Sequence, residues 1–170
     1  DFLIELFTEL HEGGFHTCID TSGIVFQPEN AKVMDKIERL MDVTDLVMLD
    51  IKHIDDEKHK ELTAQSNQNI LAFARYLDKK GIPVWIRHVI VPGVTLYKEY
   101  LEKLGAFMAT LSNVKALDVL PYHSMGKVKY ENMNMTIIDI MSDDNIFNKE
   151  KGKYVSIDFQ TLYDEQIRNK

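Results

Sequence analysis

Residues 84–93 read Val-Trp-Ile-Arg-His-Val-Ile-Val-Pro-Gly, an apolar strand broken by one arginine and closed by the turn signal Pro92-Gly93. A guanidinium set in such a strand needs a partner, because a charge taken out of water is costly unless paired. Three other segments have the same form. Phe15–Gly23 (FHTCIDTSG), Leu46–Lys52 (LVMLDIK) and Val114–His123 (VKALDVLPYH) each run an apolar strand into polar, chemically capable residues. The four recur at a spacing that leaves room for a helix between each pair. Alternation of this kind predicts an α/β fold with a parallel sheet and right-handed crossovers. In a parallel barrel or open sheet the strand C-termini gather at one face, and that face holds the site. Asp20, Thr21, Asp50, Lys52, Arg87 and His123 are therefore expected to meet around one ligand.

The intervening segments carry helical patterns. Phe2, Leu3, Leu6, Phe7 and Leu10 share one face of an opening helix that Gly13-Gly14 stops. Pro28 suits the first turn of a second helix, with Val33, Met34, Ile37, Leu40 and Met41 on its inner face. A short helix is expected over Asp55–Leu62. Ser66 or Asn67 would cap a long helix carrying Ile70, Leu71, Ala74 and Leu77 and closed by Lys79-Lys80-Gly81. A further helix shows Tyr100, Leu101, Leu104, Phe107, Met108 and Leu111. Residues 1–133 read as one domain. Residues 134–170 are rich in Asp, Asn and Lys without a sustained apolar pattern and read as a divergent tail, with a strand at Tyr154–Phe159 and a helix at Thr161–Arg168 as its candidate elements.

Composition narrows the classes of function. The 170 residues are 45% hydrophobic and 28% charged, as in an ordinary globular domain. A net charge of −7 argues against a general binder of nucleic acid or anionic membrane, and leaves room for a local basic pocket. No apolar run is long enough to cross a bilayer. The single cysteine, Cys18, excludes an internal disulfide and fits a reducing cytoplasm. The chain opens at Asp1, in what reads as the middle of an element, so a missing N-terminus is expected.

The candidate residues each admit a plain reading. Asp20 and Asp50 could cap the turns that follow their strands. Together they repel unless a cation or ammonium group lies between them, so they could hold a metal, an amino-acid ammonium group or ribose hydroxyls. Lys52 could be a solvated strand-end lysine; with Arg87 it offers positive charge to a carboxylate or phosphate. His123 could be structural, donate to a carboxylate, act as an acid/base or bind metal. His11, His16, His53 and His59 lack metal-ligand spacing and read mostly as surface or satisfied groups. Cys18 reads as a core thiol, and the eight methionines read as core filler. No phosphate-binding glycine loop is present.

The segments HTCIDTSG, TDLVMLDIKHIDDEKHKELT, SNQNILAFARYL, VWIRHVIVPG and LPYHSMGKVKY resemble the pyruvate formate-lyase activating enzymes of the radical S-adenosylmethionine superfamily. The similarity runs from Asp1 to about Met133. It implies the C-terminal part of a partial (β/α)6 barrel lacking its first two strands. It also implies S-adenosylmethionine and a [4Fe-4S] cluster as cofactors, and a 5′-deoxyadenosyl radical that removes a hydrogen atom from a glycine of a glycyl radical enzyme, pyruvate formate-lyase. Reduced flavodoxin or ferredoxin would be the electron donor.

Residue by residue, the resemblance places Asp20, Thr21, Asp50, Lys52 and His123 at the cofactor. Asp20, Thr21, Asp50 and the Met48 backbone would form a monovalent-cation site, and Arg87 would lie near the cofactor and the partner's glycine loop. Two departures stand out. The family's three-cysteine CxxxCxxC loop is absent, so there are no iron–sulfur ligands in this chain, and the Gly-Gly-Glu segment is absent as well. The leading reading is therefore a fragment of an activating enzyme, inactive alone. The alternatives are an inactive cofactor- or partner-binding module, and a metal-dependent hydrolase or lyase with Asp20, Asp50 and His123 as ligands. An apolar sheet edge left by two missing strands predicts marginal stability.

Overall fold

A computed structural model describes residues 1–122 of the chain. Four strands form one sheet: β1 (Cys18–Thr21), β2 (Leu46–Asp50), β3 (Val84–Ile90) and β4 (Val114–Pro121). Helix α1 (Phe2–Glu12) precedes them, and four helices connect them: α2 (Ala31–Met41), α3 (Asp56–Thr63), α4 (Gln68–Lys80) and α5 (Lys98–Met108). Strands pair in parallel in the order β1-β2-β3-β4. This order has a structural consequence. Right-handed crossovers between successive neighbours all pass on the same side, so the crossover helices are laid on one face and the sheet becomes a barrel wall. A doubly wound sheet would need the strand order to reverse.

The core confirms the one-sided wall. Val47, Leu49 and Ile51 of the second strand segment and Val84 and Ile86 of β3 are buried, against Met41 of α2, Ile70, Phe73, Ala74 and Leu77 of α4, and Leu104, Phe107 and Met108 of α5. These strand residues alternate with Met48, Asp50, Trp85 and Arg87, none of which belongs to that core. Period-two alternation thus separates a helix-covered face from an open one.

Local chemistry sets the element ends. Gly81 closes α4 in the left-handed region (φ 72°), where a side chain would be strained. Asp55 caps α3 by accepting the Lys58 N–H. The second helix starts later than Pro28 suggests: Asn30 is its cap, accepting from the Val33 N–H, and Pro28 precedes it in a turn. The first strand is also shorter than Phe15–Gly23, because Thr17 turns to Asp45, whose carboxylate accepts its backbone N–H at 2.8 Å. Asn67 occupies the cap position of α4 without capping it. Its buried amide donates instead to the His53 and Ile54 carbonyls, at 3.0 and 2.8 Å.

Helix α1 buries Ile4 and Phe7, while Phe2, Leu3 and Leu6 of the expected apolar face remain exposed. The helix precedes the edge strand and packs on α2. His53 and His59, read as mostly surface or satisfied, are both buried. His53 Nδ1 accepts the Asp55 N–H, and His59 Nδ1 lies 2.7 Å from the Gln65 carbonyl. The expected strand and helix at 154–168, and the boundary at 133, lie outside the described residues.

Candidate functional site

Parallel register brings the charged residues together on the open face. Asp50 of β2 stands opposite Arg87 of β3, and Arg87 stands opposite Asp118 of β4. Asp20 reaches in from β1, where it pairs with Met48. Arg87 is the centre of the group. Its Nη1 donates to Asp20 Oδ2, and its Nε lies 3.6 Å from Asp50 Oδ1 and 3.9 Å from Asp118 Oδ2. Lys52, just past the end of β2, donates from Nζ to Asp50 Oδ2 at 2.6 Å.

Two cations are thereby set among three carboxylates. The arrangement answers the repulsion that Asp20 and Asp50 would otherwise suffer, since a guanidinium lies between them. Contact with Asp20 first, then the fields of Asp50 and Asp118, hold Arg87 firmly in its charged form against the opposing cost of desolvation. The satisfaction is incomplete. Arg87 Nε is buried and has no hydrogen-bond partner among the described residues. Distances of 3.6 and 3.9 Å exceed the hydrogen-bond range.

Four of the six sequence-predicted residues, Asp20, Asp50, Lys52 and Arg87, form this cluster directly. Thr21 follows Asp20 in the strand, so its side chain is directed to the other face, where its hydroxyl accepts the Gly23 N–H at 3.0 Å. His123 lies outside the described residues. Cys18 shares the open face with Asp20 and is no part of the helix-side core, contrary to the core-thiol reading. Burial, then the Asp20 charge, pushes its thiol up from the usual range, which disfavours a thiolate.

Asp118 escaped the sequence reading although it lies inside a quoted motif. Loop chemistry was also missed. Thr95, fully buried, donates from its hydroxyl to the Val89 carbonyl and accepts the Val91 N–H, both at 2.7 Å, clamping the Val91–Thr95 turn beside the site. Gly93 turns there at φ 74°. Among the described residues no group of three His, Cys, Asp or Glu side chains is placed to hold a metal ion.

The donor set fits a zwitterionic ligand: carboxylates for an ammonium group or hydroxyls, and Lys52 and Arg87 for a carboxylate. It does not fit an iron–sulfur cluster, for which one protonated cysteine cannot replace three thiolates.

Comparison with known proteins agrees with the fold. The radical SAM superfamily profile matches residues 1–107. The pyruvate formate-lyase-activating enzyme of Streptococcus mutans is 50% identical over 135 residues, covering 79% of this chain and 51% of that protein. The protein of the same name from Staphylococcus epidermidis is 43% identical over 159 residues, covering 91% of this chain and 62% of its own. The chain thus spans about half the length of the first of these.

Among solved structures, a domain of pyruvate-formate lyase-activating enzyme from Bacteroides vulgatus superposes with a TM-score of 0.62 at 22% identity. The match covers 78% of this chain and 82% of that one. Streptococcus suis SuiB bound to S-adenosylmethionine matches with a TM-score of 0.55 at 16% identity, over 77% of this chain and 30% of SuiB. With the profile spanning well over half of the sequence and the same fold in both structures, the chain belongs to the radical SAM superfamily.

Proposed function

We propose that this chain is the part of a pyruvate formate-lyase-activating enzyme that supplies the charged wall of its S-adenosylmethionine site. The observation that carries the reading is the coincidence of two independent facts. Half of the residues are identical to a protein of that name over 135 positions, and the side chains that register gathers on the open face are suited to an aminocarboxylate.

On this reading Lys52 and Arg87 bind the ligand's carboxylate, while Asp20 and Asp50 take its ammonium group and ribose hydroxyls. His123 adds a further contact, and the Asp20 and Asp50 carboxylates with the backbone carbonyls of Thr21 and Met48 offer oxygens to a monovalent cation; the Thr21 hydroxyl, turned to the other face, takes no part. Arg87 also faces the incoming glycine loop of the protein substrate, pyruvate formate-lyase. S-adenosylmethionine, when bound, supplies the precursor of the hydrogen-abstracting radical. The chain's own work is to orient it and to balance its charges. The [4Fe-4S] cluster and the contact with a flavodoxin or ferredoxin donor belong to the remainder of the protein. A cytoplasmic setting accords with the single unpaired cysteine and with the absence of a membrane-spanning helix among the described residues.

A binding module without chemistry shares the same residues. The hydrolase reading is favoured by no observation, since Asp20 and Asp50 already have a guanidinium between them. The test is the coding DNA upstream of Asp1. An in-frame CxxxCxxC loop followed by Gly-Gly-Glu is expected. Unrelated sequence there would overturn the activating-enzyme reading and leave the binding module.

A further inference from the structure

Arg87 is flanked by carboxylates on both neighbouring strands and uses neither fully. Its Nη1 reaches past β2 to Asp20, and its Nε is left buried and unpartnered between Asp50 Oδ1 at 3.6 Å and Asp118 Oδ2 at 3.9 Å. The two are not equivalent. Asp50 is already held through its other oxygen by Lys52 at 2.6 Å. Asp118 has Arg87 as its sole ion-pair partner among the described residues, and its side chain is 45% exposed, free to change rotamer. Asp20 is 54% exposed at the sheet edge, where a cationic group from solvent can compete for it.

We propose that Asp118 is a positioning residue that receives Arg87 when Asp20 is given up, so that the guanidinium is a two-position clamp. With Asp20 engaged, Nη1 points toward β1 and Nε stays unsatisfied. When a cation or ammonium group claims Asp20, the guanidinium settles toward β4. Nε then donates to Asp118, and the Nη edge is freed for an anionic group. The exchange conserves charge pairing: one carboxylate is released as another is taken up. It also resolves the buried, unpaired Nε–H, whose desolvation is otherwise uncompensated. The ligand that would drive the exchange is the zwitterion of the proposed function, and to that extent the inference rests on that reading.

The exchange itself is testable without ligand, so its failure is distinct from failure of the functional reading. Asp20→Asn stands in for an occupied Asp20. The Arg87 Nε–Hε resonance of the full chain, assigned by nuclear magnetic resonance, is followed in wild type, Asp20→Asn, Asp118→Asn and the double variant. Hydrogen exchange at Hε should slow several-fold in Asp20→Asn and return to the wild-type rate or faster when Asp118→Asn is added. Asp118→Glu, which keeps the carboxylate, should retain the slowing in the Asp20→Asn background. In parallel, the coupling between Arg87 and Asp118 in urea unfolding should be under about twofold with Asp20 present. It should rise to about fivefold in Asp20→Asn, the upper range for a partly exposed pair. Circular dichroism checks that each isosteric variant keeps the fold. An Hε resonance indifferent to Asp118, with equal coupling in both backgrounds, would overturn the proposal.

Discussion

Gly23 offers the sharpest test of how the site is built. It lies two residues beyond Thr21, adopts φ +71°, and sits on the helix side of the sheet's C-terminal end. A Cβ placed there would meet Leu49 Cδ1 at 2.9 Å and Phe73 Cδ1 at 3.0 Å, both in the packed core. Gly23→Ala therefore combines two penalties. Left-handed backbone costs a residue with a side chain about 1–2 kcal/mol, and overpacking a filled core adds about 1–3 kcal/mol. Loss of unfolded-chain freedom offsets this by about 0.4–1 kcal/mol. The net expectation is a destabilisation of about 1–5 kcal/mol.

Gly81→Ala is the matched control: φ is +72°, and an added Cβ meets nothing within 4 Å. It should show the backbone penalty alone, roughly 1 kcal/mol. Urea unfolding followed by circular dichroism and by the fluorescence of Trp85, the sole tryptophan, measures both variants. Equal destabilisation of the two, within about 0.5 kcal/mol, would refute the claim that the turn after β1 is pressed against Leu49 and Phe73. A shift of Asp20 away from Arg87 should accompany Gly23→Ala, because Gly23 lies in the turn that directly follows the short strand carrying Asp20.

Other consequences are open to measurement. Thr95→Val removes the hydroxyl that satisfies the Val89 carbonyl and the Val91 N–H, leaving two partly buried backbone groups unpaired; a loss of about 1–3 kcal/mol in urea unfolding is expected. Asp56 is held down to about 2 by Lys60, Ser66 and the Asn67 N–H, so its contribution is present above the ordinary carboxylate value of 3.8 and is lost as pH falls towards 2. Asp56→Asn should accordingly destabilise the chain at pH 6 and converge with wild type near pH 2, read by denaturant midpoints. Burial pushes His88 and His53 below 6.5, the imidazole of His88 donating from Nδ1 to the Ile51 carbonyl. The unfolded chain takes up those protons first, so stability should fall as pH drops below 6.5, and His88→Gln should flatten that slope.

The order of elements was legible because each level of the sequence agreed. Apolar alternation in LVMLDIK and VWIRHVIVPG, helical spacing between them and Gly81 after Lys79-Lys80 all point to one fold. The shared face of Asp50 and Arg87 followed from strand ends alone. Asp118 did not, and the reason is geometric. Val84 pairs with Val114, but a bulge between Val84 and Trp85 shifts the register, so that Trp85 pairs with Ala116 and Arg87 with Asp118. Without that extra residue Arg87 would face Leu117. A one-residue slip exchanges the faces of a strand, and no spacing rule reveals it. Of Ser66 and Asn67, the two cap candidates, Asn67 holds the cap position of α4, but its side chain makes no cap bond because its partners, the His53 and Ile54 carbonyls, lie in a loop more than ten residues upstream.

The central claim is that this chain supplies the cofactor-facing wall of an activating enzyme. It is tested most directly by supplying the half of the relative's length that this chain does not span. A chimera joining the N-terminal half of the Streptococcus mutans relative to this chain would be loaded with iron and sulfide under anaerobic conditions, reduced, and mixed with S-adenosylmethionine and pyruvate formate-lyase. Electron paramagnetic resonance should then detect a glycyl radical on the lyase, and Lys52→Ala or Arg87→Met should reduce its yield at least about tenfold, the loss of one charge-assisted contact. A folded, cluster-loaded chimera that yields no radical, or one whose yield is indifferent to both substitutions, would contradict the account.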